Sequence, residues 1–167
     1  MTTDEFIGVL KKIQKGDSQA AEKLYNEYFP KIYISIWQIL KDRNDSYDVA
    51  MDVFIKLCMY PNVDGIRTHK WFIKVMAENA AKDFLRTRKH LADLSKYENR
   101  ITVQMEEALW ITDIVKELTD EETEILISHV IWNEKFSVIA ARKNVSVITI
   151  KRKYKRIKAK IETLYQK

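Results

Sequence analysis

The chain is poor in the residues that make turns and cross-links. Its 167 residues include one cysteine, three glycines and two prolines. The lone Cys58 excludes a disulfide framework and suits a reducing cytoplasm, which is the expected location. All-β folds draw on many glycine and proline turns. Gly8, Gly16, Gly65, Pro30 and Pro61 are too few for that, so an all-α chain is expected. No apolar run approaches the roughly 20 residues that cross a bilayer, so no membrane insertion is expected. The opening residues, MTTDEF, are acidic and lead into no apolar core, unlike a signal peptide. His69, His90 and His129 are scattered, with no second cysteine and no metal-ligand spacing. There is no glycine-rich phosphate loop either. The expectation is a protein that is not an enzyme and needs no cofactor or metal.

What is abundant is charge, and it is unevenly placed. The net charge of +5 divides into −2 over residues 1–65, +5 over 66–89, −7 over 90–133 and +9 over 134–167. Two basic segments flanking an acidic one suggest two surfaces for a polyanion. Charged outer faces of ordinary helices are the plainer reading of either segment alone.

Helical spacing runs through most of the chain. Phe6, Leu10 and Ile13 mark a helix over residues 4–14. Gly16-Asp17-Ser18 breaks it, and Asp17 or Ser18 can cap the next helix. That helix is apolar and aromatic, from Leu24 to Leu40, and its aromatic residues read as core. Pro30 lies inside it, so a kink or interruption is expected. A turn at 42–45 precedes the helix DSYDVAMDVFIKLCMY, with Val49, Val53 and Leu57 on one face and Asp45, Asp48 and Asp52 on another. The loop 61–68 contains Gly65. A helix from His69 to His90 follows, carrying Trp71, Val75, Asn79 and Lys82, with Arg86, Arg88 and Lys89 at its end. Residues 91–105 are polar and weakly periodic, and are placed as a linker between domains 1–90 and 106–167.

Downstream, a helix from Glu106 to Leu118 turns Leu109, Ile114 and Leu118 inward. TDEE (119–122) is a capping-box signature, and Ile125, Leu126 and Val130 carry its helix to about Trp132. A short helix, 135–143, and a turn at Asn144-Val145 lead to NVSVITIKRKYKRIK. Its β-branched start resembles a strand. Yet Val147, Ile150, Tyr154, Ile157, Ile161 and Leu164 step by 3 and 4, which is a helix stripe, and Ser146 suits the N-cap. The opposite face then carries Ile148, Thr149, Arg152, Lys155 and Arg156, flanked by Lys151 and Lys153. Arginine can bond guanine, a hydroxyl can bond a base edge, and methyl groups can meet thymine methyls. Lysines would hold phosphates. A short helix, a turn and this helix form a helix-turn-helix.

Three segments, in order, resemble the extracytoplasmic-function (ECF) group of bacterial sigma factors, two-domain members of the sigma-70 family. DSYDVAMDVFIKL is similar to the segment that meets RNA polymerase, through Asp45, Asp48, Asp52, Val53 and Phe54. KWFIKVMAENAAKDFLRTRK is similar to the segment that reads the −10 element, through Trp71, Ala77, Asn79, Asp83 and Arg86. LTDEETEILISHVIWNEKFSVIAARKNVSVITIKRKYKRIKAKI is similar to the −35 reader, with Ser146, Thr149 and Arg156 in register. Asn144 replaces the usual turn glycine but tolerates αL. Arg142-Lys143 replaces an apolar pair.

The resemblance implies an alternative sigma factor that gives core polymerase its promoter specificity. Residues 1–90 would be region 2 and 106–167 region 4, with 91–105 threading the polymerase cleft. Asp45, Asp48, Asp52, Phe54 and Lys56 would dock on the β′ clamp helices, and the C-terminal domain on the β flap. Loop 61–68 would take a flipped base. Arg67, Lys70, Trp71, Lys74, Asn79, Lys82, Arg86, Arg88 and Lys89 would serve the −10 DNA. Ser146, Ile148, Thr149, Lys151, Arg152, Lys153, Lys155 and Arg156 would serve the −35 duplex. Trp71 reads first as core and second as a stacking platform; Asn79 as a buried capping amide or a base contact. An anti-sigma protein is a further candidate partner. The alternative is a conventional helix-turn-helix regulator with an N-terminal dimerisation or sensor domain; a third reading is an adaptor that binds only protein.

Overall fold

A computed structural model describes residues 1–88 and 106–165. The linker placed at 91–105, and Lys89 with it, lie outside the described residues. Every regular element among the described residues is helical, so the chain is all-α. No helix described is long and apolar enough to cross a membrane. The chain divides into two units, Met1–Met105 and Glu106–Lys167.

The first unit is built around its longest helix. α1 (Thr3–Ile13) opens on a capping box, the Thr2 hydroxyl taking the Glu5 N–H while Glu5 takes the Thr2 N–H. α2 (Ser18–Leu40) starts from Asp17, whose carboxylate accepts from the Ala20 N–H at 3.0 Å. It packs on α1, on α3 (Arg43–Cys58) and on α4 (His69–Arg88). Its aromatic residues are core as expected: Tyr28, Phe29, Tyr33 and Trp37 are all buried. Pro30 does not interrupt α2. Proline removes one helix hydrogen bond, to the carbonyl four residues back. That residue, Asn26, is exposed, so water can take the freed carbonyl, while buried neighbours on either side hold the helix.

α2 ends on Lys41 in the left-handed region (φ 56°). α3 begins directly behind it, because Asp42 accepts from the Asp45 N–H at 2.9 Å. The turn expected at 42–45 is therefore compressed, and Asp45 lies in the first turn of α3. A 3₁₀ turn (Val63–Gly65) joins α3 to α4.

In the second unit, α5 (Glu106–Lys116) and α6 (Asp120–Leu126) meet at the TDEE capping box. Both halves are present: Glu122 N–H to the Thr119 hydroxyl at 3.3 Å, and Thr119 N–H to the Glu122 carboxylate at 2.9 Å. The helix expected to continue to Trp132 instead widens into a π turn, Ile127–Ile131, with the Trp132 N–H bonded to the Ile127 carbonyl at 3.2 Å. That extra width rotates the residues beyond it. Ile127, Ser128 and Trp132 are buried, and Val130, expected inward, is 48% exposed. α7 (Phe136–Arg142) and α8 (Val147–Tyr165) complete the unit. Ile114, Leu118, Ile125, Leu126, Ile139, Ala140, Ile150 and Ile157 form its core.

Candidate protein and nucleic-acid interfaces

α3 has one buried face and one exposed face. Val49, Val53 and Leu57 are buried against the unit's core. Phe54 is buried too, edge-on to Tyr25 with ring centroids 5.3 Å apart and to Phe29 at 6.2 Å. It is a core residue and not available for docking, which corrects its assignment to a contact surface. Asp48 and Asp52 are exposed. Ile55 (49% exposed) and Met59 (73%) extend their line by steps of three and four, giving one strip that is acidic at one end and apolar at the other. The sequence reading missed Ile55 and Met59. Placing Val49, Val53 and Leu57 inside already put them outside.

Asp45 belongs to the edge of that strip. It is mostly covered and forms an ion pair with Arg88 at the end of α4. Burial raises its carboxyl pKa, Asp42 adds to this, and the Arg88 guanidinium opposes it. Arg88 also lies 6.0 Å over the ring of Phe84. Arg86 pairs with Asp83 one turn back. Both described arginines at the end of α4 thus hold carboxylates.

α4 buries His69, Ile73, Ala77 and Ala81, a strict four-residue step. Trp71 sits two residues off that stripe, about 200° around the helix, and is 56% exposed. The core reading of Trp71 is therefore wrong. Asn79 is also exposed, which removes the buried-amide reading. Trp71, Val75, Asn79 and Asp83 line one side of an open groove of about 330 Å³, with Val53 and Lys56 from α3 on the other. Lys56, assigned to docking, thus faces the same space as Trp71.

Lys82 and Arg67 are exposed and Lys70 is half-buried. Lys74 is only 3% exposed, with its ammonium 4.0 Å from Glu78. It faces inward and does not present a cation to DNA, which corrects its assignment. The loop 61–68 is tied back to α1. Val63 and Ile66 are buried, and Asp64 pairs with Lys11 at 2.7 Å. A side chain at Gly65 would press on Asn62 at 2.9 Å.

In the second unit, the turn of the helix-turn-helix has Asn144 at φ 52°, the left-handed position where glycine was expected to be replaced without loss. Ser146 caps α8, accepting the Thr149 N–H at 3.1 Å, and its hydroxyl lies 2.8 Å from that of Thr149. Ile150 and Ile157 are fully buried and Tyr154 and Ile161 partly so. The ends of the expected stripe are outside: Val147 is 38% exposed and Leu164 40%. α8 enters and leaves the unit beyond the reach of its core.

The cations of α8 fall into two sets. Lys153 pairs with Glu121 at 2.5 Å and Lys160 with Glu122 at 3.1 Å. The bond from Lys153 lowers the Glu121 pKa, and the backbone bond from Thr119 lowers that of Glu122. Lys151, Arg152, Lys155 and Arg156 are exposed. Among the described residues they have no carboxylate partner. Arg142 pairs with Glu134 at 2.8 Å and Lys143 with Glu124 at 2.6 Å, so the basic pair on α7 is held inside the unit. An apolar cavity of about 210 Å³ lies between α5, the π turn and α8, lined by Ile111, Ile114, Ile127, Val130 and Ile161, with Lys158 and Glu162 among its walls. Nothing in the sequence pattern foretells it, because the π turn that forms one wall has no local signature.

No protein-family model matches the chain, and no curated protein sequence matches it. Among solved structures, the backbone is similar to that of CnrH, determined in complex with the cytosolic domain of CnrY. The identity is 15%, 96% of each chain is covered and the TM-score is 0.53. At that identity the likeness is one of fold.

Proposed function

We propose that the chain is an alternative sigma factor of the ECF type, which binds core RNA polymerase and directs initiation at promoters with −10 and −35 elements. The observation that carries the reading is a pair of dissimilar exposed surfaces on one chain. One is a groove with an exposed tryptophan and an amide, suited to an unstacked base. The other is a helix-turn-helix whose second helix presents unpaired cations, suited to duplex DNA. A conventional regulator needs only the second. The likeness of fold to CnrH over 96% of both chains accords with a two-unit helical protein of this kind.

In this reading residues 1–90 melt and hold the −10 strand. Trp71 stacks on an extruded base, Asn79 bonds its edge, and Lys56, Arg67 and Lys82 attract phosphates. Base–aromatic stacking contributes roughly 1–3 kcal/mol per base. The strip from Asp48 to Met59 docks on the β′ clamp helices, with carboxylates for basic residues and methyl groups for apolar ones. Residues 106–167 place α8 in the major groove of the −35 duplex, and the apolar cavity behind it receives the β flap. CnrH was solved with the cytosolic domain of CnrY; a protein partner is proposed for this chain too, and the family resemblance points to an anti-sigma protein.

Run-off transcription with purified core polymerase on genomic promoter fragments tests the proposal. Specific start sites that depend on the chain are expected. Active core that yields no specific transcript on any fragment would refute it, and tight duplex binding without polymerase would favour the conventional regulator.

A further inference from the structure

Of the six large apolar side chains described as exposed in the second unit, three lie together at one place. Among the described residues ten large apolar side chains are exposed, and five of them, Val138, Val145, Val147, Ile148 and Leu164, belong to the helix-turn-helix. Three flank or occupy the first turn of α8. Ile148 is 63% exposed, Val145 39% and Val147 38%. The hydroxyls of that turn are partly engaged with each other and with the backbone. The Ser146 hydroxyl caps Thr149, and the Thr149 hydroxyl is 2.8 Å from it. The start of α8 therefore shows methyl groups outward, with few free hydrogen-bonding atoms.

The surroundings say what such a surface meets. Lys151, Arg152, Lys155 and Arg156 stand beside it, exposed and without a carboxylate partner among the described residues. A protein partner's apolar patch gains nothing from four unneutralised cations. Duplex DNA supplies phosphates for them, and in its major groove thymine alone among the four bases carries a methyl. Ile148 and Arg152 are four apart and side by side on the helix. They are separated by about 6 Å along its axis, under two base-pair rises of about 3.4 Å.

Resting on the sigma-factor reading, we infer that the first turn of α8 reads thymine methyl groups through Val147 and Ile148, next to a base pair contacted by Arg152. The −35 element of this chain is thus defined by thymine at the steps under that turn. Val147 joins the specificity-determining residues, although its place in the helical stripe suggests core.

The test uses the full chain and two alternating duplexes of equal length, adenine–thymine and adenine–uracil. They differ only in the major-groove methyl and carry the same phosphates. Fluorescence anisotropy at low salt should show weaker binding to the uracil duplex, about fourfold for each methyl lost from contact, the equivalent of about 0.8 kcal/mol per buried methyl-sized group. A guanine–cytosine duplex should bind more tightly when its cytosines are 5-methylated, because that methyl occupies the same edge of the groove. The double substitution Val147→Ala, Ile148→Ala should abolish both differences while leaving the helical circular dichroism unchanged. Equal binding to thymine and uracil duplexes would overturn the inference and leave the sigma reading standing. Differences that persist in the double variant would overturn it as well, assigning the effect to duplex shape. Failure to bind any duplex in a salt-dependent way would overturn the inference, while the sigma reading stands or falls on run-off transcription.

Discussion

Asp45→Asn should make the free chain a better single-strand binder. Asp45 pairs with Arg88, and that pair joins the start of α3 to the end of α4. It therefore links the proposed polymerase strip to the proposed −10 surface. The side chains are 24% and 59% exposed. A pair whose arginine is this open to water stabilises the fold by at most about 1 kcal/mol. The loss is smaller here, because burial and Asp42 already work against a charged Asp45. Asparagine should thus leave the melting temperature nearly unchanged and release one cation. For single strands the slope of log K against log salt changes by about 0.7 per phosphate neutralised. Anisotropy titrations of a labelled oligonucleotide over a range of salt should give a slope steeper by that amount. Asp48→Asn changes the net charge equally but frees no known partner, and should leave the slope alone. Asp45→Asn combined with Arg88→Ala should return to the original slope. Identical slopes for the Asp45 and Asp48 variants would refute the reasoning.

The other predictions concern both units. Arg152→Ala should cost about 1–3 kcal/mol on the preferred duplex and little on others, whereas Lys155→Ala should weaken all duplexes alike and reduce the salt slope by about 0.9; electrophoretic or anisotropy binding to a panel of sequences distinguishes them. Asn144→Ala should lower stability by about 1–2 kcal/mol because a β-carbon without a polar side chain is disfavoured at φ 52°, while Asn144→Gly should be near neutral, as read by thermal unfolding. His69 is buried, and burial followed by Lys70 lowers its pKa from 6.5 to about 4. The unfolded chain takes up the proton first, so its contribution is full above pH 6.5 and is lost as pH falls toward 4. Denaturant midpoints across that range should fall for the wild type and flatten for His69→Gln.

The helices were legible because their apolar positions repeat every three or four residues, and the caps because Asp17, Thr119 and Ser146 announce themselves. Which face a helix buries was less so. Trp71 and Phe54 are both large aromatic residues in helices. One is 56% exposed and the other 9%. The difference lies in what their neighbours pack against: the small step Ala77–Ala81 lets α4 approach the core and leaves Trp71 outside. Lys74 looked like a surface cation, yet it lies beside Ile73, on the inward side of α4. Val130 and Val147 fit the expected stripes and are outside, one rotated by the π turn, the other stranded where α8 projects past its core. Arg88 and Asp45 are 43 residues apart, and nothing local in the chain foretells their pairing.

The carboxylates at the start of α6 bear on how the protein answers to ionic strength. Glu121 and Glu122 hold Lys153 and Lys160 of α8. Dissolved ions screen α8 from phosphate, but they also loosen these two internal bonds. Raising salt therefore withdraws some cations from the DNA and releases others toward it. The measured salt dependence of duplex binding should be shallower than the six lysines and arginines between 151 and 158 suggest. Neutralising Glu121 and Glu122 should steepen it, which in the proposed −35 role would make this pair of stabilising acids a brake on indiscriminate duplex binding.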